Sequence, residues 1–288
     1  MRCIQPYIEL TKPRITWLIL MSTAIGYLYG LPAGGSLDLW LIVHTILGTG
    51  LIASGTAALN QWAESEADGR MARTRHRPIP SGRLSRERAL VWGTVLSLAG
   101  FLELALCVNL LTGCLGLCTL ATYLFLYTPL KRRSPHSTTI GAVPGAMPPL
   151  IGFAASSGTL TWEAFALYAI LFVWQFPHFY SIAWLYRDDY DRGGIRMLPV
   201  VEPDGQSTAR RILFFLLLLI PTSLAPVMLS MAGKLYLAGA VLAGLYFLSS
   251  GIGVYRDRSL VRARGVLLAS VLYLPILYGL MLLDRPSL

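Results

Sequence analysis

The hydrophobic positions of this chain gather into long runs separated by polar segments. Nine runs can be drawn, at about 15–32, 38–62, 88–108, 110–128, 138–157, 163–185, 210–231, 235–254 and 264–283. A helix that crosses a bilayer needs roughly 20 predominantly apolar residues, so the pattern predicts an all-α, polytopic membrane protein with nine transmembrane helices. The fifth run contains Pro144, Pro148 and Pro149, which membrane helices tolerate where neighbouring helices cover the freed backbone groups. Gly141 and Gly145 in the same run form a GxxxG, a spacing that favours close helix contact.

Composition agrees and removes the alternatives. Of 288 residues, 55% are hydrophobic and 14% charged, with a mean hydropathy of +0.57. Soluble domains carry about 25% charged residues, so neither a single large soluble domain nor a disordered chain fits. The net charge of +9 could point to nucleic acid, which binds basic surfaces, but the positions of the charges decide otherwise. With the runs taken as spans, 22 of the 24 Lys and Arg residues fall on one side, leaving Lys234 and Arg285 for the other. Basic residues collect in cytoplasmic loops. The N-terminus is therefore expected in the cytoplasm, the C-terminus outside, and the number of spans odd. The expected surroundings are the lipid bilayer of a cell inner membrane, with no nucleic-acid partner. Cys3, Cys107, Cys114 and Cys118 form no CxxC pair and no metal-ligand spacing. About a dozen polar-rich residues precede the first run, and no cleavable targeting segment is expected.

Two segments on the basic side are long and carry acids among their arginines, at 60–88 and 186–211. They follow the second and sixth runs, four spans apart. That spacing is expected if one domain over 1–288 is built from two four-helix halves, about 15–128 and 138–254, with a ninth helix after them.

In the first segment Asn60, Glu64 and Asp68 stand at i, i+4 and i+8. At 3.6 residues per turn each step drifts only about 40°, so all three face one way. Three oxygen donors in a row, with no base between them, suit a hard divalent cation that keeps several waters. Arg73 and Arg77, which follow, cannot serve a metal. They suit an anion with several oxygens, above all phosphate. Carboxylates with Mg²⁺ beside clustered arginine imply a diphosphate. An ordinary charged loop is the plainer account of the acids. It is weakened by a second set, Asp188, Asp189 and Asp191, with Arg187, Arg192 and Arg196 beside it. Two such sets at corresponding membrane ends would converge on one metal–diphosphate.

A diphosphate site at a membrane face suggests a lipid-tailed substrate. Its head would sit at the cytoplasmic boundary and its tail between the helices, in a central cavity open to the cytoplasmic side. Departure of the diphosphate would be stabilised electrostatically. From a prenyl tail it would leave an allylic cation, which aromatic faces in a dry cavity protect. Tyr123, Tyr127, Trp174, Phe176, Phe179 and Tyr180 lie near the right depth, with packing as the simpler role of each.

Three stretches carry a resemblance. The first is 60–85, ending Arg77-Pro78-Ile79-Pro80-Ser81-Gly82-Arg83. The second is Tyr127-Thr128-Pro129-Leu130-Lys131-Arg132-Arg133, followed by Gly141-Ala142-Val143-Pro144-Gly145 and Pro148-Pro149-Leu150-Ile151-Gly152. The third runs from Trp174-Gln175-Phe176-Pro177-His178-Phe179 through Arg187-Asp188-Asp189-Tyr190 to Met197-Leu198-Pro199-Val200. In these, and in the number and length of its runs, the chain resembles the intramembrane aromatic prenyltransferases, and among them the branch that farnesylates heme.

The resemblance implies transfer of a farnesyl group from farnesyl diphosphate to a vinyl group of heme B. Water adds to that vinyl group, giving heme O and diphosphate. It implies a Mg²⁺ requirement, and heme A synthase or the terminal-oxidase assembly machinery as partners. Carried over residue by residue, it makes Asn60, Glu64 and Asp68 metal–diphosphate ligands. Arg73, Arg77, Lys131 and Arg132 would neutralise the diphosphate, and Asp188 and Asp189 would supply the second carboxylate set. The wider superfamily often shows Asp-x-x-x-Asp in the second loop, whereas here Tyr186 and Tyr190 flank an adjacent acid pair. Which of Asp188, Asp189 and Asp191 meets the metal stays open. Near position 136, where the heme branch often has Asn, this chain has His136.

His178, directly after Pro177, is the candidate heme ligand or heme-orienting group; its simpler role is a hydrogen bond to a neighbouring helix. His76 lies among the loop arginines. An acid in a span usually faces a cavity or a partner, and the sequence leaves open whether Glu103 pairs with His44 or is protonated. Three competing readings remain: prenyl transfer to a quinone-precursor ring, a secondary transporter using the polarity of His44 and Glu103, and a non-catalytic assembly factor. The acids gather at one membrane face instead of the midplane, which argues against transport.

Overall fold

The segments between the runs carry the signals that start helices. Asp38 accepts a hydrogen bond from the backbone N–H of Leu41, Ser85 from Arg88, Asn109 from Thr112 and Ser259 from Arg262. Each satisfies an N–H that the first helical turn leaves unpaired. In the computed structural model, which describes residues 4–32 and 35–286, the regular structure is all helical; Arg2 and Cys3 lie outside the described residues.

A short α1 (Gln5–Leu10) precedes α2 (Pro13–Gly30), α3 (Leu39–Arg70), α4 (Arg86–Cys107) and α5 (Leu110–Leu130). After them come α6 (Ser137–Gly145), α7 (Met147–Ser157) and α8 (Trp162–Leu185). Two short helices, α9 (Arg187–Arg192) and α10 (Leu198–Val201), lead into α11 (Gln206–Met228), α12 (Lys234–Arg256) and α13 (Leu260–Leu283). Seven of these, α3, α4, α5, α8, α11, α12 and α13, are long and apolar enough to cross a membrane. The chain is a multi-pass membrane protein. Large apolar side chains such as Leu106, Phe125, Met228 and Val261 stand exposed on them, the surface that lipid covers.

The polar end of the second apolar run does not end its helix, since α3 continues to Arg70. Within α5, Thr122–Tyr127 widens into a π-helical turn, a distortion that occurs frequently at functional sites. The proline-rich fifth run is broken at Ala146 into α6 and α7. The main core is built on α8, where Leu167, Ile170, Phe176 and Tyr180 pack with Ile212, Phe247 and Tyr273. Phe176 stacks flat on Phe215 at 3.8 Å, and the Tyr180 hydroxyl accepts a hydrogen bond from Arg211 at 3.1 Å. Both residues belong to this core, the simpler of the two roles open to them from the sequence. A helix that is apolar on every face shows depth in its sequence but not rotation.

The two glycines of the GxxxG each seat a neighbour. A Cβ at Gly141 would lie 2.6 Å from the Tyr127 ring, and one at Gly145 would lie 2.2 Å from Gln175 Oε1. The closest approach is between α2 and α7, where a Cβ at Gly152 would fall 1.8 Å from the Thr23 carbonyl oxygen. Gly152→Ala should force these helices apart, lowering the melting temperature in detergent by roughly 2–12 °C. Gly265→Ala, whose Cβ would meet nothing within 4 Å, should leave it unchanged in the same thermal scan.

At the basic end of the bundle the loops are tied together. Ala67 and Met71 of the α3 end pack with Ala183, Ile195 and Met197 from the segment around α9. A second cluster joins Leu10, Ala58, Ile79, Leu84 and Ala89. These contacts bring both long acidic segments to one place.

Candidate active site

Because α3 stays helical through its polar end, the three-donor spacing becomes one buried face. Asn60, Glu64 and Asp68 are 1%, 6% and 1% exposed. Burying carboxylates demands compensation, and each position is met by a base from a different segment. Asn60 Oδ1 accepts from Lys12 Nζ at 3.4 Å, and Glu64 Oε1 accepts from Lys131 Nζ at 2.8 Å. One Arg77 nitrogen donates to both Asp68 oxygens, at 2.8 and 2.7 Å. The result is a ladder of three rungs, acid or amide on one rail and base on the other.

Each base is held by the local fold. Arg77 comes from the loop after α3, whose Thr74 hydroxyl donates to the Asp68 carbonyl at 2.9 Å. Lys131 follows the π turn of α5, and its ammonium lies 4.5 Å from the centre of the Tyr127 ring. Tyr123 meets that ring edge-on at 4.9 Å. The Lys131 carbonyl accepts from the Arg196 N–H at 2.8 Å, so the second long loop braces it. Burial works against the Lys131 charge, but the Glu64 carboxylate outweighs it and holds the ammonium well above the usual lysine value.

Lys12 is the residue that sequence reasoning missed, since it was counted only toward topology. Its backbone adopts a left-handed conformation, φ +49°, which costs a non-glycine residue roughly 1–2 kcal/mol. Burial first, then the neighbouring charges of Arg77 and Lys131, push its ammonium down to about 7. Three bases gathered on one buried face, against two carboxylates, form a site that favours an anion. The signal for Lys12 was a base directly before the helix-starting Pro13, but nothing in the spacing tied it to Asn60.

The remaining expected residues divide. Asp189 is 6% exposed and reaches the first loop, accepting from the backbone N–H groups of Ala72 at 2.7 Å and Arg73 at 3.1 Å. The Arg73 guanidinium lies over the rings of Tyr186 and Tyr190. Asp188 does not join them; its side chain is 82% exposed and pairs with Arg187 at 3.4 Å. Arg132 and His136 are exposed, as is His76, whose Nε2 accepts from Arg75 at 3.4 Å.

His178 faces α13. Its Nδ1 is 2.8 Å from Ser270 Oγ, whose own proton goes to the Leu267 carbonyl at 2.6 Å. That leaves Nδ1 as the donor and a lone pair on Nε2. The ring stacks on Trp174 at 4.9 Å, and the Trp174 N–H donates to the Ser270 carbonyl at 2.9 Å. Far from the ladder, His44 Nδ1 and Glu103 Oε1 pair at 2.5 Å. His44 is thus the partner of the half-buried Glu103.

Three oxygen donors on one helix face, with bases positioned to take an anion, fit a divalent metal and a phosphorylated substrate by donor chemistry alone. A membrane-embedded bundle with such a site at one end is the architecture of an intramembrane prenyltransferase. The chain belongs to the UbiA prenyltransferase family, which its residues 19–274 match. It is therefore a prenyltransferase.

Over its whole length the chain is similar to proteins named protoheme IX farnesyltransferase. The one from Solibacter usitatus (strain Ellin6076) is 64% identical, covering 99% of this chain and 100% of the relative. The one from Koribacter versatilis (strain Ellin345) is 48% identical, over 98% and 94%. Among solved structures, a digeranylgeranylglyceryl phosphate synthase shares the fold with a TM-score of 0.82 at 16% identity, covering 99% of each chain. A UbiA homolog from Archaeoglobus fulgidus, bound to DMAPP and Mg²⁺, has a TM-score of 0.68 at 14% identity, over 96% and 98%.

Proposed function

We propose that this prenyltransferase moves a farnesyl group from farnesyl diphosphate to a vinyl group of heme B, with addition of water, giving heme O and diphosphate. The observation that carries the proposal is the buried three-rung ladder, set in a chain 64% identical end to end to a protein named for heme farnesylation.

Asn60, Glu64 and Asp68 are the residues that would hold Mg²⁺. When bound, the metal supplies charge neutralisation that makes diphosphate a better leaving group. Lys131, Arg77 and Lys12, released from the acids, bind the diphosphate oxygens, with Arg73 and Arg132 toward the loop side. Tyr127 places a π face beside Lys131, with Tyr123 edge-on to it, where the two rings shield and stabilise positive charge at the ionising end of the farnesyl chain. The C–O bond of farnesyl diphosphate breaks as a C–C bond forms to the terminal vinyl carbon. Water then adds at the vinyl carbon next to the porphyrin and loses a proton.

His178 offers its Nε2 lone pair to the heme iron, and Ser270 fixes the tautomer that allows this. His178→Ala should change the visible and EPR spectra of bound heme B while farnesyl diphosphate affinity stays within about twofold. Unaltered spectra would remove the residue from the heme site.

The 18-residue α2 and the broken pair α6–α7, added to the seven long helices, support nine passes around a cavity open to the cytoplasm. The distribution of basic residues supports a cytoplasmic N-terminus in a bacterial inner membrane. We take 1–288 as one domain of two four-helix halves and a final helix. Heme A synthase or terminal-oxidase assembly factors are fitting receivers of the product.

Detergent-purified protein given heme B, farnesyl diphosphate and Mg²⁺ should yield heme O by mass spectrometry. Unchanged heme, in conditions where a control enzyme converts it, overturns the proposal. A competing aromatic quinone precursor should gain no prenyl group.

A further inference from the structure

The second acidic loop spends its buried acid on the first loop. Asp189 Oδ1 accepts from the Ala72 N–H at 2.7 Å and from Arg192 at 2.6 Å, while Oδ2 accepts from the Arg73 N–H at 3.1 Å. Burial works to raise its proton affinity, but these donors outweigh it and hold the carboxyl below its ordinary range. Both oxygens are committed to backbone N–H groups of the first loop, which cannot turn away from their acid as the Lys131 and Arg77 side chains can. The neighbouring acids do not replace it, because Asp188 is 82% exposed and Asp191 also faces out.

What this loop does present is a pair of rings. The Arg73 guanidinium lies 5.2 Å from the centre of Tyr186 and 5.6 Å from that of Tyr190, and it donates to the Tyr190 hydroxyl at 3.4 Å. Arg73 is therefore fixed twice, at its backbone by a carboxylate and at its side chain by aromatic faces. It borders a cleft of about 300 Å³ shared with Tyr186, Asp188 and Arg192. Tyr190 in turn packs against the cluster that holds Ala67 and Met71, at the Asp68 end of α3.

We infer that Asp189 is a positioning residue and not a metal ligand: with Tyr186 and Tyr190 it aims Arg73 at the substrate diphosphate. The first loop then contributes the metal-binding face, Asn60, Glu64 and Asp68, and the second contributes an aimed cation. This deepens the reading of the site as a diphosphate-dependent prenyltransferase and does not depend on heme as the acceptor.

Asp189→Asn separates the two roles. An amide keeps one acceptor, loses the charge and turns a donor toward a backbone N–H. In metal-free protein, amide exchange over 72–77 should quicken about tenfold or more, as loss of a hydrogen bond to a charged acceptor requires. Binding of farnesyl thiodiphosphate, which ionises slowly, should weaken about tenfold. Mn²⁺ binding in the presence of inorganic diphosphate, counted by EPR, should keep its stoichiometry and stay within about twofold in affinity. Tyr186→Leu combined with Tyr190→Leu, which spares every carboxylate, should weaken farnesyl thiodiphosphate about fivefold or more with Mn²⁺ binding unchanged. Loss of a bound Mn²⁺ in Asp189→Asn with exchange over 72–77 unaltered would overturn the inference, as would full farnesyl thiodiphosphate affinity in the double tyrosine variant. A protein that meets all these expectations but leaves heme B unconverted would sink only the heme assignment.

Discussion

Asp68→Asn should lower heme O formation by about a thousandfold, the largest effect expected of any single substitution in this protein. Asp68 is 1% exposed and takes both of its hydrogen bonds from one Arg77 nitrogen. The amide is nearly the same size and still accepts from Arg77, so the fold should survive. What it loses is the charge that a divalent cation needs. The defect should appear in single-turnover experiments at saturating farnesyl diphosphate, and excess Mg²⁺ should recover only part of the activity. Retention of more than about a tenth of the rate would show that the acids balance arginines and do nothing else.

Lys131→Met should be nearly as damaging, for a different reason. It strands Glu64, a carboxylate with only 9% of its side chain exposed, against a methyl group. Breaking a buried pair from one side costs about 3–5 kcal/mol, roughly 6–20 °C in melting temperature for a chain of this size. Glu64→Gln joined to Lys131→Met removes both charges together and should regain most of that stability. It should not regain activity, which is expected to stay below about one part in a hundred. Thermal scans and heme O assays on the two single variants and the double variant form a closed cycle. Recovery of stability and turnover together would reduce the pair to a structural one.

Much of this site could be read from the sequence because helix geometry repeats. Asn60, Glu64 and Asp68 shared a face as soon as α3 was known to be helical, and the donor types then named the chemistry. The helix boundaries followed hydropathy less closely. The second run fades near 62, while α3 continues to Arg70, because the helix is held by packing of Ala67 and Met71 and not by apolar content alone. Contacts between distant loops left no periodic trace. The bond of Asp189 to the Ala72 and Arg73 backbone joins positions more than a hundred residues apart. Nor could spacing show that Lys12 reaches Asn60. Phe176 and Tyr180 could be given a depth from the sequence but not a side of α8, since no polar stripe marks one face of that helix.

The ladder has a consequence for the order in which ions arrive. A divalent metal entering alone would displace Lys131 and Arg77 from their acids and leave those bases facing one another in a buried pocket. Diphosphate entering alone would take the bases and leave Glu64 and Asp68 bare. Either ion alone meets resistance, and each removes the obstacle to the other. Their affinities are therefore coupled, and by linkage the coupling is the same from both directions. The site works as an interlock. It keeps each buried acid paired with a base, and opens those pairs only to a metal and a diphosphate together, so that ionisation of a reactive prenyl chain is confined to a fully loaded enzyme.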